Sequence, residues 1–160
     1  MSTVPAAAKP LADLTPQHPF FVGIDSDGCA FDSMEIKHKE CFIPNTINWW
    51  DLQAVSKYAR EAAEFVNLYS KWRGINRWPA LIMVFDLLQE RPEVKARGVK
   101  ITEAKKLREF MASGQALSDS GLKAYMAEHP DPELDKAWGW TNGVNATIAD
   151  MVHGVPPWKK

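Results

Sequence analysis

Along the 160 residues, apolar and polar positions form one short continuous run and then a series of helical repeats. The run is Phe20-Phe21-Val22-Gly23-Ile24, followed at once by acids and a glycine. An apolar stretch of this length bounded by turn residues predicts a buried strand. From Ser33 to Phe42 the pattern suits a short helix with Ser33 as its N-cap, broken by Pro44-Asn45-Thr46. Between about Trp49 and Trp72, the residues Trp49, Leu52, Val55, Ala59, Ala62, Val66 and Tyr69 recur three or four apart. Lys57, Arg60, Glu61, Glu64 and Lys71 fall largely on the other side, so the spacing predicts a long amphipathic helix that ends at Gly74.

Arg73 to Trp78 reads as a polar and aromatic turn, with Pro79 suited to a first helical position. Ala80 to Gln89 is apolar almost all round. Its first six residues suit a strand, but the continuation through Leu87, Leu88 and Gln89 favours a buried helix, closed by Pro92. Glu93 to Ile101 reads as a loop or a short extended piece. Thr102 is placed to cap a helix to about Ser113, with Leu107, Phe110 and Met111 inward. Ser118 or Asp119 caps another to His129, with Leu122, Tyr125 and Met126 inward. Asp131-Pro132-Glu133 combines a cap, a first-position proline and a first-turn acid. It starts a last helix that runs to about His153 through Leu134, Trp138, Thr141, Ile148 and Val152. Gly139 and Gly143 either weaken that helix or mark close helix contacts.

A lone buried strand leaves both backbone edges unpaired, and no second segment makes a good partner for it. Either the strand pairs with something outside this chain, or it is not a normal strand.

Composition adds bounds. The chain is 46% hydrophobic and 24% charged, enough for a core, and its formal charge is -1. That balance gives no electrostatic case for nucleic acid or an anionic membrane. No apolar run approaches the ~18 residues of a membrane span. Two cysteines, Cys29 and Cys41, make neither a disulfide framework nor a zinc pattern, so a reducing cytoplasm is the expected location. Residues 1–19 hold four prolines and a single basic residue, Lys9, which predicts a loose leader and no signal peptide.

The chemistry concentrates just after the apolar run. Asp25 and Asp27 stand two apart, Gly28 permits a turn, and Asp32-Ser33 follows. Two carboxylates at the carboxyl end of a strand suggest a magnesium and phosphate site. Residues 20–34 resemble the first motif of the haloacid dehalogenase superfamily, in which an apolar strand leads into Asp-x-Asp-Gly and then Asp-Ser. Residues 35–155 have the size and helical content of the helical cap that many members insert after that motif. Residues 156–160 resemble the start of the return to the core.

The resemblance implies a mainly α chain: a helical cap attached to the first strand of an α/β core whose other strands lie outside this sequence. It implies that Asp25 is the nucleophile and Asp27 the acid/base of a phosphatase. Magnesium would bind the Asp25 carboxylate and the Asp27 backbone carbonyl. The presence of Asp27 favours phosphate esters over haloacids. The Ser or Thr, the Lys and the acidic pair that members carry on later strands have no placed counterpart here. Ser118, Lys95 and Glu133 are the right residue types but sit in the predicted helices. Little phosphatase activity is therefore expected of this chain alone.

Other candidates carry plainer alternatives. Arg73 and Arg77 suit the phosphate or carboxylate of a small phosphorylated substrate, or simply a solvated turn. Asp32 reads as a turn or helix-start residue, Cys29 as packing, and the tryptophans as core or cap surface. His18, His38, His129 and His153 show no metal-ligand spacing and read as structural or exposed. The rival to the hydrolase is a non-catalytic helical interaction domain that keeps the motif by descent and self-associates through the exposed strand.

Overall fold

Three- and four-residue apolar spacing governs the chain from Ser33 onward, and helices form there. The computed structural model describes residues 15, 18–20, 22–25, 29, 30 and 33–154, with side chains as far as Met151. Among these residues every regular element is helical.

The first helix, α1 (34–49), runs through the expected break at Pro44. It is built as Met34–Ile36, a π-helical stretch Lys37–Phe42, and Ile43–Trp49. A proline inside a helix lacks an N–H, and its ring clashes with the carbonyl four residues back. The wider π turn absorbs this, with the Ile43 N–H bonding the His38 carbonyl five residues back. Asn45 Nδ2 donates to the Cys41 carbonyl at 2.8 Å, and Thr46 Oγ1 donates to the Phe42 carbonyl at 2.8 Å. Local side-chain bonds thus serve carbonyls around the proline, and the helix continues.

Asp51, at φ 57°, reverses the chain. The left-handed region it occupies is one that Asp tolerates better than most residues. The second helix, α2 (53–69), comprises the 3-10 turn Gln53–Val55, Ser56–Glu64 and a second π stretch, Phe65–Tyr69. It starts later than its apolar spacing suggested, because Trp49 and Trp50 finish α1. The Tyr69 hydroxyl donates to Glu35 Oε1 at 2.8 Å, so the end of α2 returns beside the start of α1.

Asn76 caps α3 (Arg77–Glu90), its side chain accepting the Trp78 N–H at 3.0 Å. Trp78, Ala80, Leu81, Ile82, Val84, Phe85 and Leu88 are all buried, which explains why the segment is apolar nearly all round. Pro92 both stops α3 and opens a short helix, α4 (Pro92–Ala96), where a loop was expected. Thr102 does not cap α5 (Lys105–Ala112) directly. Its hydroxyl accepts the Ala104 N–H at 3.0 Å, and Glu133 reaches over to accept the Leu107 N–H at 2.9 Å. Ser118 caps α6 (Asp119–Glu128) by accepting the Gly121 N–H. Asp131 accepts the Glu133 N–H at 2.8 Å to start α7 (Pro132–Gly154).

Helix α7 lies antiparallel along α1. Trp140 Nε1 donates to Thr46 Oγ1 at 3.0 Å, Asn45 Nδ2 donates to Thr147 at 2.9 Å, and the Cys41 thiol meets Met151 sulfur at 3.7 Å. The two glycines of α7 mark this close approach. A Cβ at Gly139 would lie 2.2 Å from the Trp49 ring, and one at Gly143 would lie 2.5 Å from Asn45 Oδ1. The core centres on Trp78, whose ring meets Trp140 at 5.5 Å and Phe110 at 6.2 Å edge-on.

The apolar run does not form a buried strand. Phe20, Val22 and Ile24 are 87%, 79% and 75% exposed, and Phe20 and Val22 to Asp25 carry no strand pairing. The reason is the one the sequence raised: a strand is stable only beside neighbours, and among the described residues every regular segment is a helix. No described helix is long and apolar enough to cross a membrane.

Candidate functional site

Asp25 lines a cleft of about 540 Å³ whose other walls come from the first turns of α1, the end of α2 and the start of α3. This is the size range of small-molecule sites. Locally, the motif backbone closes on itself through an Ala30 N–H to Asp25 carbonyl bond of 3.2 Å, and Asp25 is exposed. Asp27, Gly28 and Asp32 lie outside the described residues.

Both π-helical stretches supply cleft walls: Lys37, His38 and Phe42 come from the first, and Asn67 from the second. A π turn widens a helix and shifts the direction of its side chains, and such turns recur at functional sites. Arg73, Gly74 and Ile75 come from the turn after α2, and Arg77 from the first turn of α3. The structure thus brings Arg73 and Arg77 to the same cleft as Asp25. It adds Lys37, His38 and Asn67, which the sequence did not single out. For Lys37 and His38 the signal was Pro44, a helix-breaker beside a segment that keeps helical spacing; for Asn67 the sequence carries none.

Arg77 is anchored. Its Nη1 donates to Thr141 Oγ1 at 2.6 Å and to Asn145 Oδ1 at 3.0 Å, and the guanidinium carbon lies 5.3 Å from the Phe42 ring centre. Asp119 accepts from Thr141 at 2.9 Å and from Asn145 at 3.0 Å. Burial lowers the Arg77 pKa and Asp119 opposes the shift. Both Arg77 bonds leave from one nitrogen, and its remaining donors make no hydrogen bond among the described residues. Arg73 is exposed, and its guanidinium makes no hydrogen bond or salt bridge among the described residues.

His38 is 9% exposed and stacks on Phe42 at 4.7 Å. Its Nδ1 is buried and has no hydrogen-bond partner among the described residues. Burial, then the charges of Arg73, Lys37 and Arg77, push its pKa down to about 4, so the imidazole is neutral near pH 7. The described charges of the cleft lining are therefore three cations and the Asp25 carboxylate, an arrangement that attracts anions.

The residues also bear on the expected magnesium. Asp25 alone of the two expected ligands is described, and among the described residues no group of three or more His, Cys, Asp or Glu converges. The described side chains do not by themselves compose a site for the ion. Comparison with protein-family models, with curated proteins and with solved structures gives no match. The resemblance of residues 20–34 to the first haloacid dehalogenase motif stands on those residues alone.

Proposed function

We propose that this chain is the motif-bearing, cap-forming part of a phosphoaspartate hydrolase of the haloacid dehalogenase type, binding a small phosphorylated substrate in the cleft beside Asp25. The observation that carries the reading is the meeting of Asp25 with Lys37, Arg73 and Arg77 around one cavity. A carboxylate approaches a phosphate dianion only where positive charge offsets their repulsion, and these cations provide part of it. The Asp25 carboxylate would attack phosphorus, forming an acyl phosphate as the bond to the leaving oxygen breaks. Asp27 would give its proton to that oxygen and later take one from the water that releases phosphate and regenerates Asp25. Asp25 and the Asp27 carbonyl would hold magnesium, which would supply further positive charge between the carboxylate and the phosphate. The later-strand groups of the family have no described counterpart on a strand, so turnover by this chain alone is expected to be slight.

Calorimetry with magnesium and beryllofluoride, which mimics the aspartyl-phosphate, tests the reading. Binding heat in the wild type that disappears in Asp25→Asn is expected. No heat in the wild type overturns it.

One observation favours a second reading, a non-catalytic interaction domain. Phe20, Val22 and Ile24 present apolar side chains to solvent on a segment with no strand partner among the described residues, and such a segment can pair with a second copy. A monomer by analytical ultracentrifugation across the micromolar range would remove self-association.

A further inference from the structure

We infer that Asp119 is a positioning residue of the cleft: through Thr141 and Asn145 it fixes the Arg77 guanidinium for the phosphate of the ligand. The inference deepens the phosphatase reading and rests on it for Arg77 as a phosphate-binding cation. Four residues on three helices close one hydrogen-bonded ring. Arg77 opens α3, Asp119 opens α6, and Thr141 and Asn145 stand four apart on one face of α7. A carboxylate only accepts, so Asp119 makes both neighbours donate: Thr141 Oγ1 to Oδ1 at 2.9 Å and Asn145 Nδ2 to Oδ2 at 3.0 Å. A hydroxyl whose hydrogen is so used, and an amide whose NH2 faces a carboxylate, are left with oxygen lone pairs. Those oxygens accept the bonds of Arg77 Nη1, at 2.6 Å and 3.0 Å. Asp119 thus sets the direction of every bond in the ring. Thr141 is fully buried, which anchors the ring in the core. Nε and Nη2 of Arg77 make no hydrogen bond among the described residues, and Arg77 lines the cleft. A guanidinium held at its far nitrogen loses less freedom when its other donors take up an oxyanion.

Charge alone predicts the opposite effect. Asp119 is an acid close to an anion site, so neutralising it would tighten anion binding if it acted only through its charge. Positioning predicts weaker binding, because an amide at 119 would donate where both neighbours must also donate. Titration calorimetry of the full chain with inorganic phosphate reads the direction. Asp119→Asn should bind phosphate about fivefold more weakly than the wild type. In an Arg77→Gln background the same change should alter affinity by less than about twofold, whereas in Arg73→Gln the loss of about fivefold should remain. Asn145→Ala, at an exposed helix position, removes one acceptor with no change of charge and should weaken binding about threefold. The Nη signals of Arg77, identified by their loss in Arg77→Gln, should be separate in the wild-type NMR spectrum and merge in Asp119→Asn. Tighter or unchanged binding in Asp119→Asn, an equal loss in the Arg77→Gln background, or no phosphate binding by the wild type overturns the inference. Should Asp119→Asn not fold, Asn145→Ala decides, and unchanged binding there overturns it. Failure of the phosphatase reading is separable. Absence of beryllofluoride heat with the Asp119 effect intact refutes the chemistry at Asp25 and leaves the role of Asp119 standing. Beryllofluoride heat that depends on Asp25, with no Asp119 effect, does the reverse.

Discussion

His38 ties the stability of this fold to pH. Its folded pKa is about 4, against 6.5 for a free imidazole, through burial first and then the charges of Arg73, Lys37 and Arg77. A base whose pKa is lowered on folding binds fewer protons folded than unfolded. Its contribution is therefore complete above pH 6.5 and is lost as pH falls toward 4. A shift of one unit corresponds to ~1.4 kcal/mol. Integrated from neutral pH to pH 5, the loss is about 2 kcal/mol, or about 1 kcal/mol where cleft water screens the ring. That is a large share of the ~5–15 kcal/mol that holds a typical domain. His38→Phe keeps a ring to stack on Phe42 and removes the titration. Urea unfolding followed by tryptophan fluorescence at pH 7.5 and 5.0 should show the wild type losing 1–2 kcal/mol more than the variant, as orders of magnitude. The other three histidines are common to both proteins and cancel in the comparison. Glu35 and Glu103 are held below the ordinary carboxylate range, chiefly by hydrogen bonds from Tyr69 and Lys105, and act only below about pH 4.5. Identical pH dependence in the two proteins, or an NMR titration placing the His38 ring at 6.5 or above, would refute the reasoning.

Two further outcomes test the packing of α7 on α1. Gly139→Ala gains ~1 kcal/mol of helix propensity but drives a Cβ to 2.2 Å from the Trp49 ring. A net loss of about 1–2 kcal/mol by urea unfolding is expected, turning into a gain in a Trp49→Ala background. Thr46→Val removes the acceptor of the Trp140 indole N–H and leaves that buried donor unpaired. It should cost about 1–3 kcal/mol in the same assay, and a cost near zero would mean the bond contributes nothing.

Much of the helical body was legible because its signals are local. Asp131-Pro132-Glu133, Ser118 and the all-round apolar segment before Gln89 each specify an element through residues a few positions apart. Where the reading failed, something distant decided. Pro44 reads as a break, and by itself it is one. Helix α1 continues because a π turn re-pairs the backbone and because α7 packs along that side. The N–H of Leu107 is served by Glu133, 26 residues on, which no local pattern announces.

The same division runs through the site. The sequence by itself determined that the chain from Ser33 onward is helical, since apolar spacing and caps act within one or two turns. It also set an acid pair, Asp25 and Asp27, after an apolar run, and it marked Arg73 and Arg77 as cations on a turn. Only the tertiary structure decided that Asp25, Arg73 and Arg77 share one cleft, and that Lys37, His38 and Asn67 join them. Those contacts depend on how the start of α1 and the end of α2 are brought together, with Tyr69 bonding Glu35 across 34 residues. The tertiary structure also decided the state of Phe20, Val22 and Ile24. A run of apolar residues becomes a buried strand only when other strands pair with its backbone, and the helices here do not do so.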